Sequence, residues 1–137
     1  TAHEVTVHFV HVARGMRYDG RTLVLVDLSP STIWLSPARE PGVGYLPTGD
    51  FLDLWRAPGP ATASTRRRVR ATLALLDADA RVLGDVALLL GEPRVTVAGL
   101  AYDAQVVEGL PPASSGACVL FLEWISGPTG ASGRISR

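Results

Sequence analysis

The sequence predicts an all-β fold, a single-domain antiparallel β-sandwich of the Ig-like kind or a partly closed barrel, with one short helix near residues 49–55. Two observations predict it. Apolar segments of strand length, with alternating apolar and polar residues, recur about every ten residues along the chain. Clusters of Gly, Pro, Asp and Ser separate these segments, as turns separate antiparallel strands.

Alternation of apolar and polar residues defines the predicted strands. In chain order they cover residues 5–13, 22–28, 32–36, 69–76, 82–90, 94–97, 100–107 and 117–125. The segment 69–76 also has the composition of a helix, but the strand interpretation is preferred. Residues 37–47 are rich in Pro and Gly and are predicted to form a loop. The strand domain thus covers residues 1–125, and the Gly- and Ser-rich residues 126–137 are predicted to be a flexible tail.

The helix is predicted from the segment that follows the Pro- and Gly-rich loop. Thr48 or Asp50 can cap its first turn, and Phe51, Leu54 and Trp55 fall at the spacing of one apolar stripe. A helix this short, beside a long loop, has two interpretations. Either it is a lid that buries its aromatic rings over one end of the core, which we prefer, or it is part of a recognition surface.

Composition excludes several classes of protein. Thirteen basic and thirteen acidic residues give zero net charge, which argues against a general attraction to nucleic acid or to an anionic membrane. No apolar run approaches the roughly 18 residues of a transmembrane helix. Cys118 is the only cysteine, so no disulfide within the chain can form. It lies in an apolar segment, where we expect a buried and inert thiol.

Two stretches of the chain, SPSTIWLSPAREPGVGYLPTGDFLDLW at 29–55 and LAYDAQVVEGLPPASSGACVLFLEW at 100–124, carry a resemblance to a family. They resemble small uncharacterised exported bacterial proteins with patterns like SPSTLxFSDRPxRxxGHxxTxxFxxxW and YxVxVLEGxLPxxGGPxSLFID. The resemblance implies export to the periplasm or beyond, with a mature chain that starts near Thr1, and it implies no particular activity or cofactor. Tyr45 stands where members of that family have a histidine.

Three histidines, His3, His8 and His11, lie within nine residues at the start of the chain. On one regular strand, at about 3.3 Å per residue, His3 and His11 share a face but lie about 26 Å apart, and His8 points the other way. Metal ligands must lie about 2 Å from one ion, so the three cannot form a site within this strand. Whether His8 or His11 joins ligands from other strands stays open.

A different metal site is predicted at the amino terminus. If Thr1 carries a free amine, Thr1-Ala2-His3 matches the amino-terminal X-X-His pattern. The amine, two amide nitrogens and the His3 imidazole then offer four nitrogens in a plane, which suits Cu(II) or Ni(II). Thr1 and His3 are therefore the candidate metal ligands.

The remaining motifs favour structural roles. The arginines of residues 66–70 lack the interleaved aromatics and basic balance of a nucleic-acid site, and we interpret them as a solvated strand edge. The serines lie in turns without a catalytic elbow, and no catalytic residues are predicted. The candidate partner contacts are aromatic: Trp34, Tyr45 and Trp55.

We therefore expect a non-enzymatic exported protein that acts as a binding or structural module for another protein or surface. No cofactor, nucleic-acid partner or transmembrane segment is expected, the localisation is periplasmic or secreted, and a homo-oligomer stays open. The alternative is a periplasmic copper- or nickel-handling protein that uses Thr1 and His3.

Overall fold

The computed structural model describes residues 5–36, 41–56 and 68–126. These residues form one antiparallel sheet and one helix. In chain order the elements are β1 (Val5–Tyr18), β2 (Thr22–Leu28), β3 (Ser31–Ser36), β4 (Gly42–Pro47), α1 (Thr48–Arg56), β5 (Val69–Leu76), β6 (Val82–Val95), β7 (Leu100–Glu108), β8 (Ser114–Ser115) and β9 (Cys118–Ser126).

Six of the strands close into a ring. The pairing runs from β1 to β2, then through β7, β6, β5 and β9, and β9 pairs again with β1. All of these pairs are antiparallel, so the wall is a barrel. The predicted all-β antiparallel fold with one short helix is confirmed, and closure of the ring makes it the barrel form of that prediction.

The long first strand connects the barrel to an additional hairpin. One side of β1 pairs with β9 and then with the short β8. The other side pairs with β3 over residues 8–10 and with β2 over residues 13–18. Because β2 takes over from β3 along β1, the hairpin of β3 and β4 leaves the wall of the barrel and extends the sheet beyond it.

Three predicted boundaries are wrong. The first strand, predicted over residues 5–13, continues to Tyr18, because its second half pairs with β2 and β8. Residues 42–47 form β4, where the sequence predicts a loop, because each pairs with a residue of β3 despite the local Gly and Pro content. Residues 82–95 form the single strand β6, where two strands are predicted. The turn-like residues Gly91 and Glu92 are absorbed as an irregularity, and pairing with β7 resumes at Pro93 opposite Tyr102. The strand predicted over 69–76 is confirmed as β5.

The helix α1 closes the core beneath the hairpin. It packs against β3, β4 and β6 and buries Phe51, Leu52 and Trp55. The Phe51 ring lies 4.9 Å from that of Phe9, and the Trp55 ring lies 5.3 Å from that of Trp124, centroid to centroid. Large aromatic rings at these separations bury much apolar area and pack edge to face. The interior beside α1 is thus a packed aromatic core.

The described part of the chain contains no helix that is long and apolar enough to cross a membrane.

Candidate functional site

The β3–β4 hairpin has two faces of different character. On its inner face the Trp34 ring covers Gly44, which is its cross-strand partner. A Cβ built on Gly44 would lie 2.7 Å from Trp34 Nε1, closer than real Cβ atoms approach, and Gly42 lies against the far edge of the same ring. A side chain at residue 44 would displace the indole, so glycine is required here by packing and fixes the hairpin against Trp34.

The outer face of the hairpin, which we call the hairpin face, is apolar and open. It consists of Ile33, Leu35, Val43 and Tyr45. The exposed fraction is 65% for Val43 and 73% for Tyr45, and none of the four residues is charged. Single exposed apolar residues are ordinary on protein surfaces, but neighbouring ones on paired strands form a patch, and such patches mark interaction sites.

Cross-strand pairing aligns the hairpin face with two rows of residues on the barrel wall, although Val10 in the first row is buried and interrupts the exposed surface. The first row contains Tyr45, Ile33, Val10, Phe121 and Thr72. The second row contains Val43, Leu35, His8, Glu123 and Arg70. The first row stays apolar through β9, whereas the second becomes polar at His8 on β1 and charged at Glu123 on β9, where these two residues line an open groove of about 760 Å³. An apolar centre beside a polar margin is the usual arrangement of a protein–protein interface.

The far side of β4 is a free edge. Among the described strands, β4 pairs only with β3. The five residues Gly42–Leu46 lie between Pro41 and Pro47 and carry no charge. Edge strands of soluble proteins are commonly protected by charged side chains, by bulges or by a covering segment, because unpaired main-chain groups attract other strands. Within this edge, only the flanking prolines provide such protection.

The barrel interior has the opposite chemistry, a line of polar groups within the apolar core. Tyr102 Oη lies 2.7 Å from His11 Nε2, and His11 Nδ1 lies 3.2 Å from Thr32 Oγ1. Thr32 Oγ1 lies 2.9 Å from Thr48 Oγ1, which donates to the carbonyl of Ser29 at 3.2 Å. His11, Thr32 and Tyr102 are fully buried. We call this set the buried polar chain.

The Ser29 carbonyl at one end of the buried polar chain, together with a neutral His11, fixes the direction of every hydrogen bond in this chain. The Ser29 carbonyl can only accept, so it takes the single hydroxyl proton of Thr48. Thr48 must then accept from Thr32, and Thr32 must accept from His11 Nδ1–H. His11 Nε2 is left with a lone pair, which accepts the hydroxyl proton of Tyr102. His11 is therefore the neutral tautomer protonated on Nδ1.

Burial supports these protonation states. Desolvation lowers the pKa of His11 to about 4 and raises the pKa of Tyr102 well above its ordinary value. A neutral imidazole and a protonated phenol are what the bond between them requires. The Phe51 ring packs 5.0 Å from that of His11, and the Trp55 ring packs 5.8 Å from that of Tyr102. The buried polar chain thus links β1, β3, α1 and β7 within the core, in contact with these aromatic rings.

The candidate partner contacts occupy three different environments. Tyr45 is exposed on the hairpin face, and Trp34 is half-buried beneath it against Gly44. Trp55 is only 2% exposed, so it offers no surface to a partner and lies in the core with Phe51, where the lid interpretation places it. The structure therefore leaves Tyr45 as the candidate whose side chain a partner can reach.

The histidines are separated as the strand geometry predicts. His11 faces the interior of β1 and His8 the exterior. Thr1 and His3, the candidate metal ligands, lie outside the described residues. Within the described residues, no three His, Cys, Asp or Glu side chains are grouped closely enough to hold a metal ion.

Two other predictions concern the arginines and the cysteine. Arg70 does not lie on an edge strand, because β5 pairs with both β6 and β9, so the strand-edge interpretation is wrong for this residue. Arg66 and Arg67 lie outside the described residues. Cys118 is a buried free thiol, so the predicted burial is confirmed, and desolvation raises its pKa to about 11, which disfavours the reactive thiolate.

Comparison of the chain with known protein families, with curated proteins and with solved structures found no match. The resemblance to an exported bacterial family therefore remains a prediction.

Sequence reasoning missed both the free edge and the buried polar chain. The alternation Gly-Val-Gly-Tyr at residues 42–45 is a strand signal that the flanking prolines obscured. The position of His11 in register with Phe9 places an imidazole in the core, and that was the available signal for a buried polar partner.

Proposed function

We propose that this protein is a non-enzymatic binding or structural module that joins another polypeptide by strand addition at β4. The observation that carries the proposal is the free, uncharged edge of β4, with Val43 and Tyr45 exposed beside it. An extended segment that pairs with such an edge gains main-chain hydrogen bonds along its length and side-chain contacts at alternate positions.

The hairpin is suited to strand addition because it is already ordered. Trp34 packs against Gly42 and Gly44, so the edge strand is held against β3 without a partner. A binding surface that is fixed beforehand loses little conformational entropy on association, which favours affinity. Val43 and Tyr45 then supply the side-chain contacts, because both project from the outer face of the strand that the partner extends.

We also propose export from the cell interior and, as a second candidate function, the handling of a metal ion. Neither of these depends on strand addition. The family resemblance supports export to the periplasm or outside the cell. The sequence Thr1-Ala2-His3 supports a second candidate function in Cu(II) or Ni(II) handling. A chain with a native Thr1 should bind one Cu(II), and His3→Ala should abolish that binding, whereas His8→Ala and His11→Ala should retain it. Binding that depends equally on His8 would contradict the amino-terminal site.

Strand addition can be tested by photo-cross-linking in cells of the source organism. A photo-reactive phenylalanine analogue at Tyr45 should cross-link to a polypeptide. The matched control carries the analogue at Leu110, which is highly exposed but lies beyond the end of β7. The product is then identified by mass, and hydrogen exchange of the β4 amides is measured with and without that polypeptide. Equal cross-linking at both positions, or unchanged exchange in β4, would contradict the proposal.

A further inference from the structure

We infer that the strand that pairs with β4 is β4 of a second copy of this chain, related to the first by a two-fold axis. This inference rests on the proposed function and names its partner. Three features of the molecule support it: the free edges that it offers, the symmetry of the β4 sequence and the lack of charge around that strand.

The molecule offers few strand edges that a partner could use. The ring from β1 through β2, β7, β6, β5 and β9 returns to β1, so these six strands pair on both sides. The strand β3 lies between β1 and β4. Among the described strands longer than two residues, β4 alone is unpaired along the whole of one side. Two copies thus offer one such edge each, and pairing the two edges uses both.

The sequence of the β4 edge is symmetric about Gly44 in the placement of its prolines. Pro41 and Pro47 bound the five residues Gly42–Leu46, and Gly44 lies at the centre. Proline has no N–H to donate and ends a pairing segment. Antiparallel pairing of two copies about Gly44 is the register that uses all five residues of both strands. It also places each Pro41 opposite Pro47 of the other copy, where no pairing is lost.

In this register the side chains that meet are apolar. Val43 of each copy lies opposite Tyr45 of the other, and this occurs twice because of the two-fold symmetry. Pairs of aromatic and β-branched residues are among the favourable cross-strand pairs, and directly opposite residues have Cβ atoms about 5 Å apart. Gly44 lies opposite Gly44, so the two strands meet without a side chain at the axis.

No charge repels a second copy at this edge. Residues 42–46 and the neighbouring β3 carry no charge, so no like charges are brought together on the paired strands. The nearest charged position along these rows, Glu123, is on β9, three strands away from the axis. The whole chain has zero net charge, so two copies do not repel each other overall. Isologous pairing also closes on itself, which gives a dimer and not a filament.

The register can be tested by disulfide formation. Val43→Cys and Tyr45→Cys are prepared as two separate single variants and oxidised alone and as a mixture. The mixture should give a covalent dimer, because residues 43 and 45 lie opposite each other, whereas each variant alone should give little, because its two cysteines lie on a diagonal that is too long for a disulfide. The native Cys118 is buried and does not compete.

Self-association itself is tested by sedimentation of the unmodified chain at tens of micromolar, with circular dichroism as a check on folding. The unmodified chain should be a dimer. The double variant Val43→Lys/Tyr45→Lys and the double variant Val43→Glu/Tyr45→Glu should each be monomeric, and their mixture should recover a heterodimer, since opposite charges then face each other.

The outcomes separate this inference from the proposed function. A monomeric unmodified chain, or a disulfide that forms equally well in one single variant alone, would overturn the self-paired dimer. If the photo-cross-link at Tyr45 then joins a different protein, strand addition stands and only the identity of the partner is wrong. If residue 45 cross-links no more than residue 110 and the chain is monomeric, both are overturned.

Discussion

The interior around His11 and the hairpin face make an informative comparison, because each has the chemistry expected of the other. The core contains a line of polar groups, and the surface contains a patch of apolar ones. Inside, every member of the buried polar chain has a hydrogen-bond partner, so polarity there costs little. Outside, Val43 and Tyr45 have no apolar cover. The polar groups of the core are satisfied within the chain, whereas the hairpin face leaves apolar side chains exposed, and this is the face to which we propose that a partner strand binds.

This comparison predicts that substitutions in the core change stability and that substitutions on the hairpin face change association. The largest effect is expected for Trp55→Ala, which removes a buried ring that packs against Trp124 and Tyr102. Loss of a large buried aromatic costs about 3–5 kcal/mol. Urea unfolding should show the change in midpoint. A Trp55→Ala protein as stable as the parent would contradict the role of α1 as a lid on the core.

The next effect is a dependence of stability on pH, because His11 is buried in its neutral form. Its pKa is lowered from 6.5 to about 4 in the folded chain, so below pH 6.5 the unfolded chain binds the extra proton. Stability is full above that pH and falls as the pH falls, by about 2 kcal/mol at pH 5 and roughly 3 kcal/mol at pH 4.

Urea titrations between pH 7 and pH 5 measure this dependence without a contribution from protonation of Asp19. The pKa of that carboxyl is lowered by the backbone N–H groups of Thr22 and Arg21, so its contribution is lost only at more acidic pH. The slope should disappear in His11→Gln and remain in the matched control His8→Gln. An unchanged slope in His11→Gln would place its origin elsewhere.

A smaller effect is expected for Tyr102→Phe, which keeps the ring and removes the hydroxyl. His11 Nε2 then loses its donor at a fully buried position. An unsatisfied buried acceptor costs about 1–3 kcal/mol. The control is Tyr18→Phe, since Tyr18 is only half-buried and lies outside this hydrogen-bond chain. Equal losses of stability in the two variants would show that the bond to His11 contributes nothing.

The smallest effect on stability is expected for Tyr45→Ala. The side chain is mostly exposed, and a surface substitution of this kind usually changes the free energy of unfolding by less than about 0.5 kcal/mol. Association should change strongly, because Tyr45 makes a cross-strand contact twice in the self-paired dimer. Unfolding and sedimentation measured on the same sample distinguish the two effects. A large loss of stability with unchanged association would show that Tyr45 stabilises the fold and does not bind a partner.

The same comparison shows what the sequence could predict. Alternation along β1 predicted that His8 and His11 face opposite ways, and an apolar stripe predicted α1, because both patterns depend on neighbours in the chain. The partner of His11 is Tyr102, 91 residues away, and no local pattern joins them. The strand β4 was missed because glycine at residue 44 resembles a loop signal until the ring of Trp34 is known to cover it.

Closure of the barrel also determines when the chain can complete its fold during synthesis. The strand β9 comes last among the described elements, and it lies between β1 and β5. Until residue 126 has left the ribosome, β1 and β5 each lack β9 as a neighbouring strand. The aromatic core is then open on that side. Folding therefore depends on joining β1 and β9, which are far apart in the sequence, and this makes it slow relative to folding of proteins with local contacts. A nascent chain of this kind stays incompletely folded until the residues of β9 have left the ribosome.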